Sequence, residues 1–146
     1  MDWHDAEAAI RAHVEAQWPL SQFAAMPLAW ENEFSGYQND FITLVVEGTY
    51  ADKSIYGSSG KRLSVEAGIV FFHCFVEPGR GKAAALAPVV AMTRILELRA
   101  IQGAIRLEGG APPSPVAEGP EVAAQQPGGA YYRCSGSVPF IVIGNR

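Results

Sequence analysis

The residues of this chain that could carry chemistry are few, and two of them lie side by side. His73 and Cys74 are neighbours in an apolar run from residue 63 to 76, and Cys134 is the second of two cysteines. Adjacent strand residues point to opposite faces, so His73 and Cys74 cannot act together as base and nucleophile. Cys134 could approach one of them only from another strand. The simplest interpretation of the cysteines is a pair of small buried apolar residues, and a disulfide or redox role is the alternative.

A glycine-rich corner follows the same run and has the outline of a phosphate-binding loop. Residues 77–82 read Glu-Pro-Gly-Arg-Gly-Lys and precede a helical pattern. The Walker spacing fails, because the places of its first glycine and its Ser or Thr are held by Val76 and Ala83. Backbone amides with Arg80 and Lys82 could still hold an anion at a helix start, but a tight turn with a solvated basic edge is the simpler interpretation.

The other titratable residues form no recognisable catalytic or metal-binding set. His4 and His13 belong to one predicted helix but lack the i, i+4 spacing of a helical metal pair. The acidic residues are spread along turns and strand ends, where solvated surface is the simplest interpretation: Glu31, Glu33, Asp40, Glu47 and Asp52. We therefore expect no catalytic residue, no metal and no cofactor.

Composition limits the class of protein. The chain has 146 residues, of which 49% are hydrophobic and 18% charged, with a net charge of −4. This length predicts one domain over residues 1–146 with a real core, and the charge argues against disorder and against non-specific adhesion to nucleic acid. No stretch has the pattern of a signal peptide or approaches the roughly 18 apolar residues of a membrane span. We expect a protein made and folded in a cytoplasm.

Residues 62–100 organise the predicted fold. The run 63–76 is apolar on both faces toward its carboxyl end, which predicts a central strand covered on both sides. After the corner, residues 82–100 predict a helix laid on a sheet, because its larger apolar residues recur at three- and four-residue steps. These are Leu86, Val89, Val90, Thr93, Leu96 and Ala100.

The remaining segments complete an alternating pattern. We predict a helix at 1–18 stopped by Pro19, an edge strand at 28–32 after Pro27, a strand at 41–49, a hairpin tip at 50–61, a strand at 103–108 and a closing strand at 131–143 in which Pro139 indicates an edge or a bulge. The Pro/Gly-rich excursion at 109–129 is expected to contribute no packed element. The pattern predicts an α+β fold: one mostly antiparallel β-sheet with an N-terminal helix and a second long helix packed on it.

Taken in order, several of these features carry a family resemblance: the N-terminal helix, the entry strand at 27–32, the long hairpin with its tip at 50–61, the strand at 62–76, the corner at 79–81, the alanine-rich helix and the aromatic closing strand at 131–143. Together they resemble the tail terminator (tail-to-head joining) proteins of long-tailed bacteriophages and phage-derived gene transfer agents, typified by the minor tail protein U of lambdoid phages. The excursion at 109–129 departs from that pattern.

The resemblance implies a structural virion protein without enzymatic activity. Such a protein forms a homo-hexameric ring on the last ring of tail tube protein, stops tube polymerisation and joins the tail to a head-tail connector or stopper protein. It implies a place at the head-proximal end of the tail, assembly in the bacterial host cytoplasm, and no membrane. DNA would pass through the channel without specific binding.

Ring formation requires two different surfaces of one subunit to meet. Candidate surfaces are the hairpin tip and the strand edges that Pro27 and Pro139 would leave unpaired. The residues we assign to the subunit interface are Trp30, Asp52, Lys53, Ser54, Ile55, Tyr56, Lys61, Arg62 and Arg80. We expect Glu31, Glu33 and Asp40 to face the channel, because a basic wall would retain DNA phosphates.

Two alternatives stay open. A neck stopper, tail tube or other tail completion protein would share this small α+β design. A small phosphate-ligand-binding or hydrolytic α/β domain would use the corner at 79–82 with His73.

Overall fold

The computed structural model describes residues 3–31, 33, 40–56, 63–77, 79–80, 82–116 and 132–145. These form helix α1 (Trp3–Gln17), a 3-10 helix (Trp18–Leu20), helix α2 (Lys82–Leu96) and the strands β1 (Leu28–Trp30), β2 (Phe41–Tyr56), β3 (Leu63–Val76), β4 (Ala100–Ile101), β5 (Ile105–Leu107), β6 (Ser114–Val116) and β7 (Tyr132–Asn145). The α+β fold with one mostly antiparallel sheet and two helices is confirmed.

The strands form one sheet in the order β1-β2-β3-β7-β5-β4, with β6 also paired to β7. Strand β1 is parallel to β2, and the other pairs are antiparallel. The prediction of an edge strand after Pro27 is confirmed for the described sheet, although β1 ends at Trp30 instead of residue 32. The backbone of the sheet is the long β2–β3 hairpin, which β7 extends by pairing with β3 from Leu63↔Asn145 to Val76↔Tyr132.

The helices pack on one face of this sheet, where the core lies. Along β3, Val70, Phe72, Cys74 and Val76 are each 0% exposed, whereas the residues between them are partly exposed. The prediction that β3 is covered on both faces is therefore wrong. Apolar residues alternate with other apolar residues in this strand, so its sequence pattern could not reveal that only one face is packed by helices.

Each helix contributes an apolar face to that core. Helix α1 buries Ala6, Ile10 and Val14, and α2 buries Ala85, Val89, Met92 and Leu96. Of the predicted α2 face, Val89, Thr93 and Leu96 are buried, Leu86 and Val90 are only partly so, and Ala100 is exposed and lies in β4. Helix α2 lies close to β7 because position 136 is glycine: a Cβ there would lie 2.9 Å from Cγ1 of Val89 in α2 and 2.4 Å from Cε2 of Phe72 in β3.

The predicted end of the second strand is wrong because backbone pairing extends beyond the apolar pattern. Strand β2 continues to Tyr56, so most of the predicted hairpin tip is strand. This part of β2 still pairs with β3, for example through Ala51 with Glu66 and the polar Asp52 with Val65, with register irregularities after Gly48 and Asp52. Ladder hydrogen bonds need only the backbone, so polar side chains do not end the strand. Residues 57–62 lie outside the described part of the chain.

Helix α2 ends at Leu96 instead of reaching residue 100. Leu98 has a left-handed φ of 56°, a conformation that ends helices. The chain then turns into β4, and a tight turn at Gln102 (φ 52°) and Gly103 (φ 69°) leads into β5. The predicted strand at 103–108 therefore begins at Ile105.

Pro139 lies inside the sheet, so the edge or bulge that it was expected to mark is absent from the described register. The Glu108 N–H donates to the Pro139 carbonyl at 2.8 Å. Pro139 has no N–H to return this bond, and the Leu98 N–H donates to the Glu108 carbonyl instead, at 3.1 Å. The end of α2 thus supplies the hydrogen bond to the Glu108 carbonyl that a residue with an N–H at position 139 would otherwise donate.

The first part of the predicted excursion is also ordered into the sheet. The Ala111 N–H donates to the Ser137 carbonyl at 3.0 Å, and β6 pairs with β7 through Ser114↔Ser135 and Val116↔Arg133. The expectation that 109–129 contributes no packed element is wrong for this part. Residues 117–131 lie outside the described part.

Candidate functional site

Neither of the two described helices packs on the second face of the sheet, which we call the open face. Its side chains follow from the register and comprise Phe41, Thr43, Val45 and Glu47 of β2, Val65, Ala67, Ile69, Phe71, His73 and Phe75 of β3, and Arg133, Ser135, Ser137, Pro139, Ile141 and Ile143 of β7. Phe41 is buried, Glu47 is exposed and the others are partly exposed. The open face is therefore a mainly apolar surface.

The end of the open face near the corner combines aromatic and polar contacts. The rings of Phe41 and Phe75 stack with centroids 5.0 Å apart. His73 Nδ1 and Ser135 Oγ share a hydrogen bond of 2.6 Å, because His73 and Ser135 are directly opposed on β3 and β7. Sequence reasoning missed Ser135, since its partner is set by strand register, which no local signal indicates.

The cysteines lie on the other face and are paired across strands. Cys74 and Cys134 are opposed on β3 and β7, and both are free and buried. Burial, and then the charge of Cys134, raises the pKa of Cys74 to about 12, and burial also raises the pKa of Cys134. Both thiols are therefore held protonated, which suits core residues and disfavours nucleophiles. As the alternation of the strand predicts, His73 is on the opposite face.

The corner before α2 brings two of the predicted functional residues together. Asp40 forms an ion pair with Arg80, and its Oδ1 accepts the Glu77 N–H at 3.0 Å. A cavity of about 460 Å³ opens beside them, with Phe23, Met26 and Pro27 among its lining residues. Arg80 already has a carboxylate partner, so an anion at this corner would have to compete with Asp40.

Arg11 joins another predicted channel residue to a predicted interface residue. Its guanidinium donates to both Glu33 carboxylate oxygens, at 2.8 and 2.7 Å, to Glu15 at 2.9 Å, and lies 5.2 Å from the centre of the Trp30 ring. The hydrogen bond from Arg11 lowers the pKa of Glu33. Sequence reasoning missed Arg11, which is a surface residue of α1 with no motif around it.

The predicted interface and channel residues thus lie in different parts of the structure and differ in burial. Trp30 is only 7% exposed, and Glu31 is exposed. Residues 52–56 lie on β2 and are described by their backbone, whereas Lys61 and Arg62 lie outside the described residues. Their assignment to an interface or a channel stays a prediction.

The described residues contain no group of three or more His, Cys, Asp or Glu side chains that could hold a metal ion. Among the described helices, none has the length and apolar character needed to cross a membrane.

Comparison with known proteins adds information on the fold. No protein-family model matches the chain. No curated protein matches it either. A solved structure that carries only a sequence identifier as its name is similar, with a TM-score of 0.65 and 14% sequence identity, over 97% of this chain and 96% of that one. At this identity the likeness shows a shared α+β fold across nearly the whole of both chains.

Proposed function

We propose that this protein is a tail terminator: a structural virion protein that forms a ring of six on the end of a tail tube, stops tube growth and joins the tail to the head-side connector. The observation that carries the proposal is the open face, a mainly apolar sheet surface on which neither α1 nor α2 packs. The order of elements described above supplies the resemblance to the family.

The open face supports an assembly function because of its chemistry. Contiguous apolar surface of this kind is typical of protein–protein interfaces. Ile69, Phe71 and Ile141 are partly exposed, so a neighbouring subunit could bury more of each. Burial is favourable by roughly 25 cal/mol per Å² of apolar surface.

A closed ring also needs a second, different surface on the same subunit. Strand β1 is an edge of the described sheet and can accept another strand or a loop. The Asp40–Arg80 corner with its cavity lies close to it, since Pro27 lines that cavity. We assign the open face to one side of the subunit interface and the β1 edge with Arg80 to the other.

The charge of the chain agrees with a DNA conduit. A net charge of −4 gives little attraction to phosphates. DNA could therefore slide past without the counterion release that would bind it to a basic wall. We retain Glu31, Glu33 and Asp40 as channel-facing residues. A ring structure with a channel lined by lysine and arginine would contradict this assignment.

The interface is tested with two matched substitutions. Phe71→Glu places a charge on the open face, and Leu20→Glu places one on a residue that is 79% exposed beside α1. We expect Phe71→Glu to abolish rings on purified tail tubes in negative-stain electron microscopy, and Leu20→Glu to leave them intact. Rings formed equally by both variants would exclude the open face from the interface.

The function itself is tested by assembling tails without the protein. We expect overlong tubes and heads that fail to join, and normal length on adding the wild-type chain. Tubes of normal length without it, or its absence from finished particles, would overturn the proposal.

The His73–Ser135 contact favours a hydrolytic alternative, because an imidazole can activate a serine hydroxyl. Hydrolysis of a panel of simple esters by wild-type protein, lost in Ser135→Ala, would support an enzyme. Equal, background rates for the two proteins would leave the contact as a cross-strand hydrogen bond.

A further inference from the structure

A cleft of about 320 Å³ lies between the last turns of the two helices. Its lining residues are His13 and Gln17 of α1, Arg94 and Ile95 of α2, and Arg99. We call it the basic cleft. It is separate from the open face, because α1 and α2 lie on the other side of the sheet.

No carboxylate of the described residues pairs with the charges in the basic cleft. Neither Arg94 nor Arg99 forms an ion pair with a carboxylate of the described residues, and both are exposed. The carboxyl end of a helix carries roughly half a negative elementary charge, so the ends of α1 and α2 offset about one of the two guanidinium charges. A residual charge of about +1 matches a single carboxylate.

The position of His13 is set by a backbone contact. Its Nε2 lies 3.0 Å from the Ile95 carbonyl oxygen, one of the last carbonyls of α2, which lack partners within the helix. The imidazole N–H therefore caps α2 and holds the two helix ends together. Gln17 adds an amide that can donate to an acceptor in the cleft.

Leu98 precedes Arg99 in the chain and is unusual for a leucine in both its exposure and its backbone conformation. It is 77% exposed, and its φ of 56° is in the left-handed region that favours glycine. Glycine would make this turn with less strain and without exposing an apolar side chain. A leucine at this position is explained if its side chain contacts a partner molecule.

We propose that the basic cleft and Leu98 together bind an acidic segment of a protein partner. One carboxylate enters the cleft between Arg94 and Arg99, and an apolar side chain next to it in the partner packs on Leu98. A nucleic acid fits less well, because the residual charge is small, the whole chain is acidic, and an exposed leucine offers nothing to a phosphate backbone. The inference does not depend on the proposed ring.

The test uses the whole chain and blocked tripeptides as probes. Leu-Glu-Leu, its uncharged twin Leu-Gln-Leu and inorganic phosphate are titrated into isotope-labelled protein, and NMR follows the arginine Nε–H and Gln17 side-chain signals. We expect Leu-Glu-Leu to shift the Arg94, Arg99 and Gln17 signals saturably by about 10 mM, which corresponds to weak binding. Leu-Gln-Leu should bind at least about tenfold more weakly, because it lacks the charge-assisted hydrogen bonds.

Matched variants separate the cleft from general effects. Arg94→Gln with Arg99→Gln should weaken Leu-Glu-Leu binding by about tenfold or more, whereas Arg106→Gln, an exposed arginine on β5, should leave it unchanged. Leu98→Ala should weaken binding about threefold to tenfold, since part of an apolar contact is lost, and Leu20→Ala should not.

Three results would overturn the proposal. The first is no saturable shift of the cleft signals by Leu-Glu-Leu, and the second is equal binding of the two peptides. The third is binding of inorganic phosphate as tight as that of Leu-Glu-Leu, which would identify the cleft as a phosphate site. The thermal unfolding of each variant is measured alongside, so that a loss of fold is not taken for a loss of binding.

Discussion

Phe71 and Phe72 are adjacent in β3, but their substitution by alanine should lower the free energy of unfolding by very different amounts. The Phe72 side chain is 0% exposed in the core, and its ring carbon Cε2 would lie only 2.4 Å from a Cβ at position 136. Removing this ring leaves a cavity between β3, β7 and α2, which typically costs about 3–5 kcal/mol. For a chain of this size we expect Phe72→Ala to lower Tm by roughly 6–20 °C.

Phe71 lies on the open face, where no cavity within the core would form. We expect Phe71→Ala to cost about 1–2 kcal/mol, for the apolar area that becomes exposed. Urea denaturation followed by circular dichroism gives the free energy of unfolding of each variant. It is measured at protein concentrations where the chain is monomeric, because any self-association would stabilise the native state. Equal costs for the two substitutions would refute the conclusion that only one face of β3 is packed by helices.

Three further predictions concern local packing and charge. Gly136→Ala should destabilise the fold by about 1–3 kcal/mol through overpacking. Gly109→Ala should not, because an added Cβ there has no neighbour within 4 Å. The same urea denaturation measures both variants, and equal free energies of unfolding would contradict close packing of α2 on β7. Arg11 lowers the pKa of Glu33, so the contribution of this pair is present above the unfolded pKa, roughly 4.3, and is lost as pH falls through the folded value. The difference in stability between wild type and Arg11→Ala should therefore shrink as the pH is lowered below about 4, and a difference that stays constant would refute the pairing. Burial raises the pKa of Cys74 to about 12. Its reaction with a thiol reagent at about pH 8 should therefore be at least about 100-fold slower in the folded protein than in urea. Absorbance follows the reaction, and comparable rates would show that the Cys74 thiol is accessible in the folded protein.

The types and order of the main elements could be predicted from the sequence because each depends on local periodicity. The amphipathic repeats of α1 and α2 and the β-branched runs of β2 and β3 lead to the two helices and the hairpin that the structure has. Pro27 correctly indicated an edge strand, since a proline cannot donate a ladder hydrogen bond. The same argument failed for Pro139, because the donor that replaces its N–H comes from residues far away in sequence.

What the sequence could not provide is pairing between distant segments. The contact of His73 with Ser135 and that of Arg11 with Glu33 depend on strand register and on the position of α1, which a single sequence does not encode in any local pattern. Which face of β3 is covered was also hidden, because Phe71 and Phe72 are equally apolar. The basic cleft was missed for the same reason: His13 and Arg99 become neighbours only when the two helix ends meet.

The bond from the Leu98 N–H to the Glu108 carbonyl has a consequence for dynamics. An amide at an exposed turn normally exchanges its proton with solvent quickly, but this one is bonded to a segment that pairs with the central strand β7. Deuterium uptake at Leu98 should therefore be slow, with opening tied to loss of the sheet instead of fraying of α2. Replacing Pro139 with a residue that has an N–H would introduce a rival donor, so the leucine turn should then exchange quickly while the sheet itself stays closed.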